Sequence, residues 1–413
     1  CPDFEVIGHA VPGVPGALHF CHNQHLAWGM THGMADTQDL YIEEFDPARP
    51  GWYRTPDGWA EASHASGTIH VAGAPDVPVE TWRTRHGPIV HGDPRTGWAI
   101  SFRWIATDGP TRQAFEPFRP MLHATTVAEL FATQADWVDP VNNMLAADIH
   151  GSIGYQARGV LVDRAPGPDT VLPGNEAFRQ FPVPGWTDAY AWRGRVPYDR
   201  NPRSINPPEG YVATANQQIV DGDDPYIADS FSPPWRAERL VELLANDRVF
   251  TLEEIAGWQA DVTSVSARAW GVLIGRLGHL EGDAGRARDM LAGFDGDLRP
   301  ERPEALLYGH VRRALARHLF APVVGEATWE WLVRDPLPIG TGLVSRWFVT
   351  VQAALMRRAG LAVRPDIHPR AGRDADAIAA ADAWWEAAAA VAIPAALADG
   401  WAATVRSAGP DPS

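Results

Sequence analysis

The stretch GVPGALHFCHNQHLAWGMTHGMADTQDLYIEEF, Gly13 to Phe45, decides how this chain is read. It holds, in succession, a proline-glycine turn, the His22-Asn23 pair, the alternating apolar run HLAWGMTH and the acidic turn MADTQDL. Apolar alternation between turn signals marks a strand, because successive side chains of extended backbone point to opposite faces. The same geometry argues against zinc: His22 and His25 have H-x-x-H spacing, yet on an extended segment their side chains diverge. A buried small residue is the ordinary reading of Cys21.

Outward from this stretch the pattern repeats. TWRTRHGPIVHG, GWAISFRWIA and GSIGYQARGVLV alternate in the same way between breaks, and the 38 glycines and 36 prolines concentrate in the first 235 positions. Such runs predict antiparallel strands. One helix is predicted among them, Thr126 to Ala135, with Thr125 or Thr126 as its cap and Glu129 in the first turn. After Pro234 the apolar spacing changes to three and four in WRAERLVELLAND, TLEEIAGWQADV, SVSARAWGVLIGRLGHL, PEALLYGHVRRALARHLF and LVSRWFVTVQAALMRRAG, and again from Asp374 to Thr404. Thr251 followed by Glu254 is a capping-box spacing. The expectation is an α+β protein with a β-rich part over 1–234 and a helical part over 235–413, without internal repeats. The tail SAGPDPS is expected to fray.

Composition narrows the function. The chain has 413 residues, 45% of them hydrophobic and 21% charged, so it can bury a large core. A net charge of −16 argues against a nucleic-acid partner, since binding its phosphates needs clustered Lys and Arg. Two cysteines, Cys1 and Cys21, make no disulfide framework. No apolar run is read as a membrane span, so no membrane partner is expected. Most of the 18 tryptophans fall within strand patterns, as Trp28, Trp82 and Trp104 do, and read as core. A glycosidase or glycan-binding reading needs two carboxylates facing one cleft, and no motif marks such a pair.

Four segments in order carry a resemblance: Gly13 to Phe45, ETWRTRHGPIV (Glu80 to Val90), ADIHGSIGYQARG (Ala147 to Gly159) and NPPEGYVATANQQIVDGDDPYIADSFSPPWRAERL (Asn206 to Leu240). Together they resemble the central part of the large (beta) subunit of the penicillin acylase family of N-terminal nucleophile hydrolases. The resemblance implies a four-layer αββα sandwich with helices inserted before its last strands, and hydrolysis of a linear amide in a small N-acyl substrate, such as a β-lactam or an N-acyl homoserine lactone. It implies a small (alpha) subunit cut from the same precursor as partner, and a periplasmic or secreted setting. In the family the nucleophile is an N-terminal serine whose own α-amine is the base, and that serine precedes the segment matched here. Cys1 joins a thiol to an α-amine, but CPDFEVIG matches an interior strand and Pro2 restricts the geometry of the residue before it. The chain by itself is therefore expected to be inactive. The rival reading is a non-catalytic fragment or relic, and the coding sequence upstream of Cys1 discriminates the two.

The resemblance also assigns residues. Asn216, in VATANQQ, takes the place of the family's oxyanion asparagine; a capping Asn after a strand is the ordinary alternative. His32 takes the place whose main-chain N–H is the other oxyanion donor. Arg236 matches an active-site arginine, with Arg239 one turn on as the alternative, and both could equally be paired at a helix surface. Phe20, Met30, Phe118 and Asn142 fall at walls of the acyl pocket. Asp36, Gln38 and Asp39, with Pro168 and Asp229, correspond to ligands of a structural Ca²⁺, whose hard oxygen donors they would supply; the alternative for MADTQDL is a solvated acidic turn. No organic cofactor is implied.

Overall fold

The turn-bounded runs of the first half become strands. In chain order these are β1 (Ile7–Ala10), β2 (Leu18–His22), β3 (Leu26–His32), β4 (Gln38–Glu44), β5 (Trp52–Thr55) and β6 (Gly58–Glu61). Next come β7 (Ser63–Ile69), β8 (Val77–Thr84), β9 (Gly87–Asp93), β10 (Trp98–Trp104), β11 (Asn142–Asp148) and β12 (Ile153–Arg158). The last four are short: β13 (Val162–Arg164), β14 (Val183–Pro184), β15 (Trp192–Arg195) and β16 (Arg203–Ile205). The computed structural model describes residues 3–13, 18–108, 116–165, 181–220, 224–228, 231–245, 249–334 and 375–408. The chain divides into two units, Cys1–Ser232 and Pro233–Ser413.

Among the described residues the first unit has two six-stranded sheets and two two-stranded ribbons. The first sheet runs β1-β2-β3-β11-β12-β16, the second β14-β4-β10-β9-β8-β7, and the ribbons are β13-β15 and β5-β6. All pairs in the first sheet are antiparallel, and its centre joins β3 to β11 from Leu26↔Asp148 to His32↔Asn142. Paired residues share a face, so Leu26, Trp28, Met30, Asn142, Met144 and Arg158 lie on one side and Thr31, Asn143 and Tyr155 on the other.

The first of those faces is covered by α1 (Phe118–His123) and α2 (Val127–Ala132), which lie between β10 and β11 in sequence. Leu26, Trp28, Met30 and Met144 pack there against Phe118, Met121, Leu130, Phe131 and Trp137. The approach is close at Gly154, where a Cβ would stand 2.7 Å from Val127 and 2.8 Å from Phe131. The start of α2 is as the sequence predicts: the Thr126 hydroxyl accepts from the Glu129 N–H at 3.2 Å, and the Glu129 carboxylate accepts from Thr125 N–H and Oγ1. It ends at Ala132, three residues earlier than the expected Ala135, and the turn that follows carries Gln134 and Trp137 to Arg158.

The second sheet buries a polar row. Side chains of Asp39, Tyr41 and Glu43 alternate onto one face of β4. The Glu43 carboxylate accepts from Thr84 and Ser101 hydroxyls at 2.7 Å and meets His86 Nδ1 at 2.9 Å, while Tyr41 stacks on the His86 ring with centroids 3.8 Å apart. Burial alone would raise the Glu43 carboxyl, but these donors outweigh it and hold the group below the ordinary carboxylate range. Burial pushes the His86 imidazole down, with Glu43 pulling the other way and not prevailing. Both shifts have the same sign in stability. A group whose folded pKa is depressed stabilises above its unfolded value and loses that contribution as pH falls toward the folded one. The melting temperature should therefore fall between about pH 7.5 and about pH 5, through the ordinary imidazole range. His86→Gln should flatten that segment of the profile; an unchanged slope would show that the pair does not set it.

The second unit is helical: α3 (Trp235–Leu244), α4 (Leu252–Gln259), α5 (Val265–Gly275), α6 (Gly282–Leu291), α7 (Pro303–Val324), α8 (Glu326–Val333) and α9 (Ala375–Ala408). Thr251 and Glu254 form the reciprocal capping box at the start of α4. Spacing of four puts Leu307, Val311, Leu315 and Leu319 of α7 on one stripe, buried with Trp270, Ile274, Leu291, Ala396 and Leu397. Each such side chain contributes roughly 1.5–3 kcal/mol by leaving water. A Cβ at Gly400 would lie 2.4 Å from Val311, so α9 meets α7 there backbone to side chain.

One expectation is corrected here. The stretch Ala388–Ser407 of α9 has the length and mean hydropathy, 1.4, of a membrane-crossing helix. Glycine, aspartate and proline interrupt the segment, so it contains no unbroken apolar run of eighteen residues. Its residues Ala392, Ala396 and Leu397 are buried in the helical core.

Candidate active site

His32 ends β3 beside the loop that carries Asn216. The Gly33 N–H donates to Val141 O at 2.9 Å, and since ladder groups alternate sides along a strand, the N–H and C=O of His32 point away from β11. On that side Asn216 Nδ2 donates to His32 O at 2.8 Å, and Asn143 Nδ2 reaches the same carbonyl at 3.2 Å. Asn216 has φ +64°, a left-handed conformation that Asn tolerates better than other side chains with a Cβ. Around it run short polar links. Thr214 Oγ1 lies 3.2 Å from Thr31 Oγ1, Asn143 Nδ2 is 3.2 Å from that same oxygen, and the Tyr155 hydroxyl donates to Asn143 Oδ1 at 2.8 Å. The Asn216 carbonyl accepts from Ser232 N–H at 2.9 Å. The asparagine amide is thus held against the last peptide of β3. The His32 ring stays local, accepting from Met34 N–H at 2.9 Å.

Sequence reasoning missed Asp139 and Asn23. Burial pushes the Asp139 carboxyl up, with the Thr37 hydroxyl opposing, and His32 is among the groups acting on it. In the His22-Asn23 pair, Asn23 does the connecting: its Oδ1 accepts from His25 and Leu26 N–H, and its Nδ2 donates to Ala124 O at 2.8 Å, at the end of α1. Sequence gave no signal for Asp139. For Asn23 the signal was an Asn at a strand turn.

The four acyl-wall residues are divided by the sheet. Phe20 alternates with buried Cys21, so it lies on the face of Thr31, and its ring passes over Gly29; it is 50% exposed. Met30 and Phe118, 5% and 8% exposed, belong to the core under α1 and α2. Asn142 is on that same side. Met30, Asn142 and Phe118 surround a residue that the sequence did not single out, Arg158, which is 1% exposed. Its Nε and Nη2 donate to Asn142 Oδ1 at 3.1 and 2.9 Å, Nη1 to Gln134 Oε1 at 2.9 Å, and Nη2 lies 2.9 Å from Met30 Sδ. The guanidinium carbon sits 3.7 Å from the Trp137 ring centroid, and Phe118 meets that ring edge-on. Desolvation pushes Arg158 down to about 9.

Asp36 and Asp39 do converge, on an arginine. Arg164 Nε donates to Asp39 Oδ2 at 2.9 Å and Nη1 to the Asp36 carbonyl at 3.0 Å, with Nη2 3.3 Å from Asp36 Oδ1. Gln38 is exposed in β4, its side chain on the face opposite that of Asp39. Pro168 and Asp229 lie outside the described residues. Among the described residues no group of three His, Cys, Asp or Glu side chains is placed to hold a metal. Asp36 and Asp39, the described carboxylates of the set, are already turned toward hydrogen-bond donors, whereas Ca²⁺ takes six to eight oxygens.

Arg236 is exposed in the first turn of α3, in the second unit. Its alternative, Arg239, is engaged within that unit by Asp261 at 2.6 Å and Glu242 at 3.0 Å, and the Asp261 contact holds its pKa above the ordinary value.

The family model of penicillin amidase matches residues 1–410. The chain belongs to the penicillin amidase family. Among the family's curated members, this penicillin amidase chain is 35% identical over 326 residues to the penicillin acylase 2 proenzyme of Pseudomonas sp. SE83, covering 77% of the chain and 40% of that relative. It is 27% identical to the acyl-homoserine lactone acylase QuiP of Pseudomonas aeruginosa, covering 78% and 40%, and 31% identical to Escherichia coli penicillin G acylase, covering 58% and 27%. The chain thus spans at most 40% of the length of these three relatives. The thermostable penicillin G acylase of Alcaligenes faecalis superimposes with a TM-score of 0.73 at 23% identity, over 98% of this chain and 71% of that one, which shows a shared α+β fold.

Proposed function

We propose that this chain is the oxyanion-binding part of an acylase that hydrolyses linear N-acyl amides. The observation that carries the reading is the juxtaposition at the end of β3, where Asn216 Nδ2 is anchored 2.8 Å from the carbonyl of the residue whose N–H points to the same side. Attack on an amide carbonyl moves negative charge onto its oxygen. Donors already in place stabilise that charge without reorganising. In this reading Asn216 Nδ2 and His32 N–H supply the two donors, and Thr31, Thr214, Asn143 and Tyr155 keep them in register. The nucleophile is the α-amine-activated serine that the family carries at the start of its large subunit. Arg236 matches the family's active-site arginine by its motif alone. Phe20, exposed on the face of Thr31, is the side chain placed to meet an acyl group.

The same reading includes a small subunit from one precursor and a periplasmic or secreted setting, which fractionation of the source cells would check. The names of the relatives put β-lactams and acyl-homoserine lactones forward as substrate classes. The test uses the protein assembled with its serine-bearing segment and small subunit. It should release acid from phenylacetyl and fatty-acyl anilides, and one of the two should be turned over faster by at least about tenfold, the discrimination a few methylenes allow. A folded, processed protein that releases acid from neither would overturn the assignment and favour the non-catalytic relic.

A further inference from the structure

We infer that Arg164 is a built-in cation, standing between Asp36 and Asp39 where a divalent metal would otherwise be held, so that this protein keeps its fold without calcium. The carboxylates and the guanidinium gather in one cluster, in which Arg164 Nη2 stands within ion-pair distance of Asp36 Oδ1 but makes no hydrogen bond. Arg164 ends β13 and is paired in register with Trp192 of β15, and the two side chains converge on one oxygen, Asp39 Oδ2, through Arg164 Nε and Trp192 Nε1. The Tyr226 hydroxyl donates to Asp36 Oδ2 at 3.2 Å, and Arg164 takes both the Asp36 carbonyl and the remaining carboxylate oxygen. The guanidinium lies 5.5 Å from the Trp192 ring and 5.7 Å from that of Tyr226, and Arg164 is only 7% exposed.

Two physical reasons make this arrangement exclude a metal. Three of the oxygens that Ca²⁺ would need, the Asp36 carbonyl, Asp36 Oδ2 and Asp39 Oδ2, already accept from nitrogen and hydroxyl donors, so binding there would have to break those bonds and leave buried donors unpaired. A divalent ion at the same oxygens would also lie within a few ångströms of a fixed positive charge that cannot be neutralised by losing a proton. The guanidinium does what a structural ion does, which is to bring two carboxylates together across a sheet strand and a loop. It does so as part of the chain and without dependence on metal concentration. The inference is independent of the acylase reading, since it concerns cohesion and not turnover.

The test is thermal unfolding and Tb³⁺ luminescence, a calcium probe that would be excited here through Trp192. The protein should give superimposable melting curves in calcium and in chelator, and no saturable Tb³⁺ signal that Asp36→Asn abolishes. Arg164→Gln should melt lower, and calcium should then raise its melting temperature and Tb³⁺ should bind; Arg164→Lys should remain unresponsive. A melting curve of the unsubstituted protein that drops in chelator, or a Tb³⁺ signal removed by Asp36→Asn, would overturn the inference. So would a folded Arg164→Gln that binds no more Tb³⁺ than the parent. Should Arg164→Gln fail to fold, the titration of the unsubstituted protein decides alone.

Discussion

Asn216→Ala in the assembled enzyme is expected to lower kcat by roughly 10²- to 10³-fold, the loss typical of removing one preorganised oxyanion donor. KM should change little, because the amide stabilises charge that exists only in the transition state. The structure adds a reason for a clean result. Asn216 Nδ2 anchors to a main-chain carbonyl that Asn143 also serves, so truncation leaves His32 O with a remaining donor. Folding should therefore be nearly unaffected, although the left-handed φ of +64° suits Ala less well than Asn and adds about 1 kcal/mol of strain. Asn216→Gly removes that strain and the amide together, and should show the same kcat. Near-normal turnover in either variant would remove Asn216 from the chemistry, and a rise in KM alone would make it a substrate-binding group.

Arg158→Ala is expected to destabilise the first unit by about 3 kcal/mol or more, a large share of the stability of an ordinary protein. Three effects add. The substitution opens a cavity under Trp137, strips Gln134 and Asn142 of their buried donors, and removes the charge that the indole face holds. The charge itself is not the source of stability, since desolvation opposes it. The triple change Arg158→Met, Asn142→Leu and Gln134→Leu, which replaces the network by apolar side chains, should then be markedly milder than Arg158→Ala. Denaturant midpoints of the two variants measure this. If the triple change is as damaging as the single one, the guanidinium contributes through its charge and not through satisfaction of its neighbours.

Much of the fold was legible because it is encoded locally. HLAWGMTH becomes β3 and GWAISFRWIA contains β10, since period-two alternation needs no distant partner to be recognised. Thr126 with Glu129 and Thr251 with Glu254 specify helix starts through bonds three residues apart. Of the site, Asn216 and His32 were singled out and the structure brings them together. Phe20, Met30, Phe118 and Asn142 match wall positions of the acyl pocket, and the sheet places Phe20 on one face and the other three on the opposite side. Which face a residue occupies depends on strand register, and the register of β3 is set by β11, more than a hundred positions away.

The sequence by itself determined element type, helix caps, the change from strand period to helix period, and the family, because each rests on residues close in the chain or on motifs kept in order. Only the tertiary structure decided the partners of the charged groups. Arg158 and Arg164 are six residues apart, the first inside the segment ADIHGSIGYQARG and the second just beyond it, yet one is buried over Trp137 between two neutral amides and the other between two carboxylates of the acidic turn. Nothing local distinguishes them. The difference arises because a buried guanidinium takes whatever donors' partners the packed sheets deliver to it, and that delivery is a property of long-range pairing.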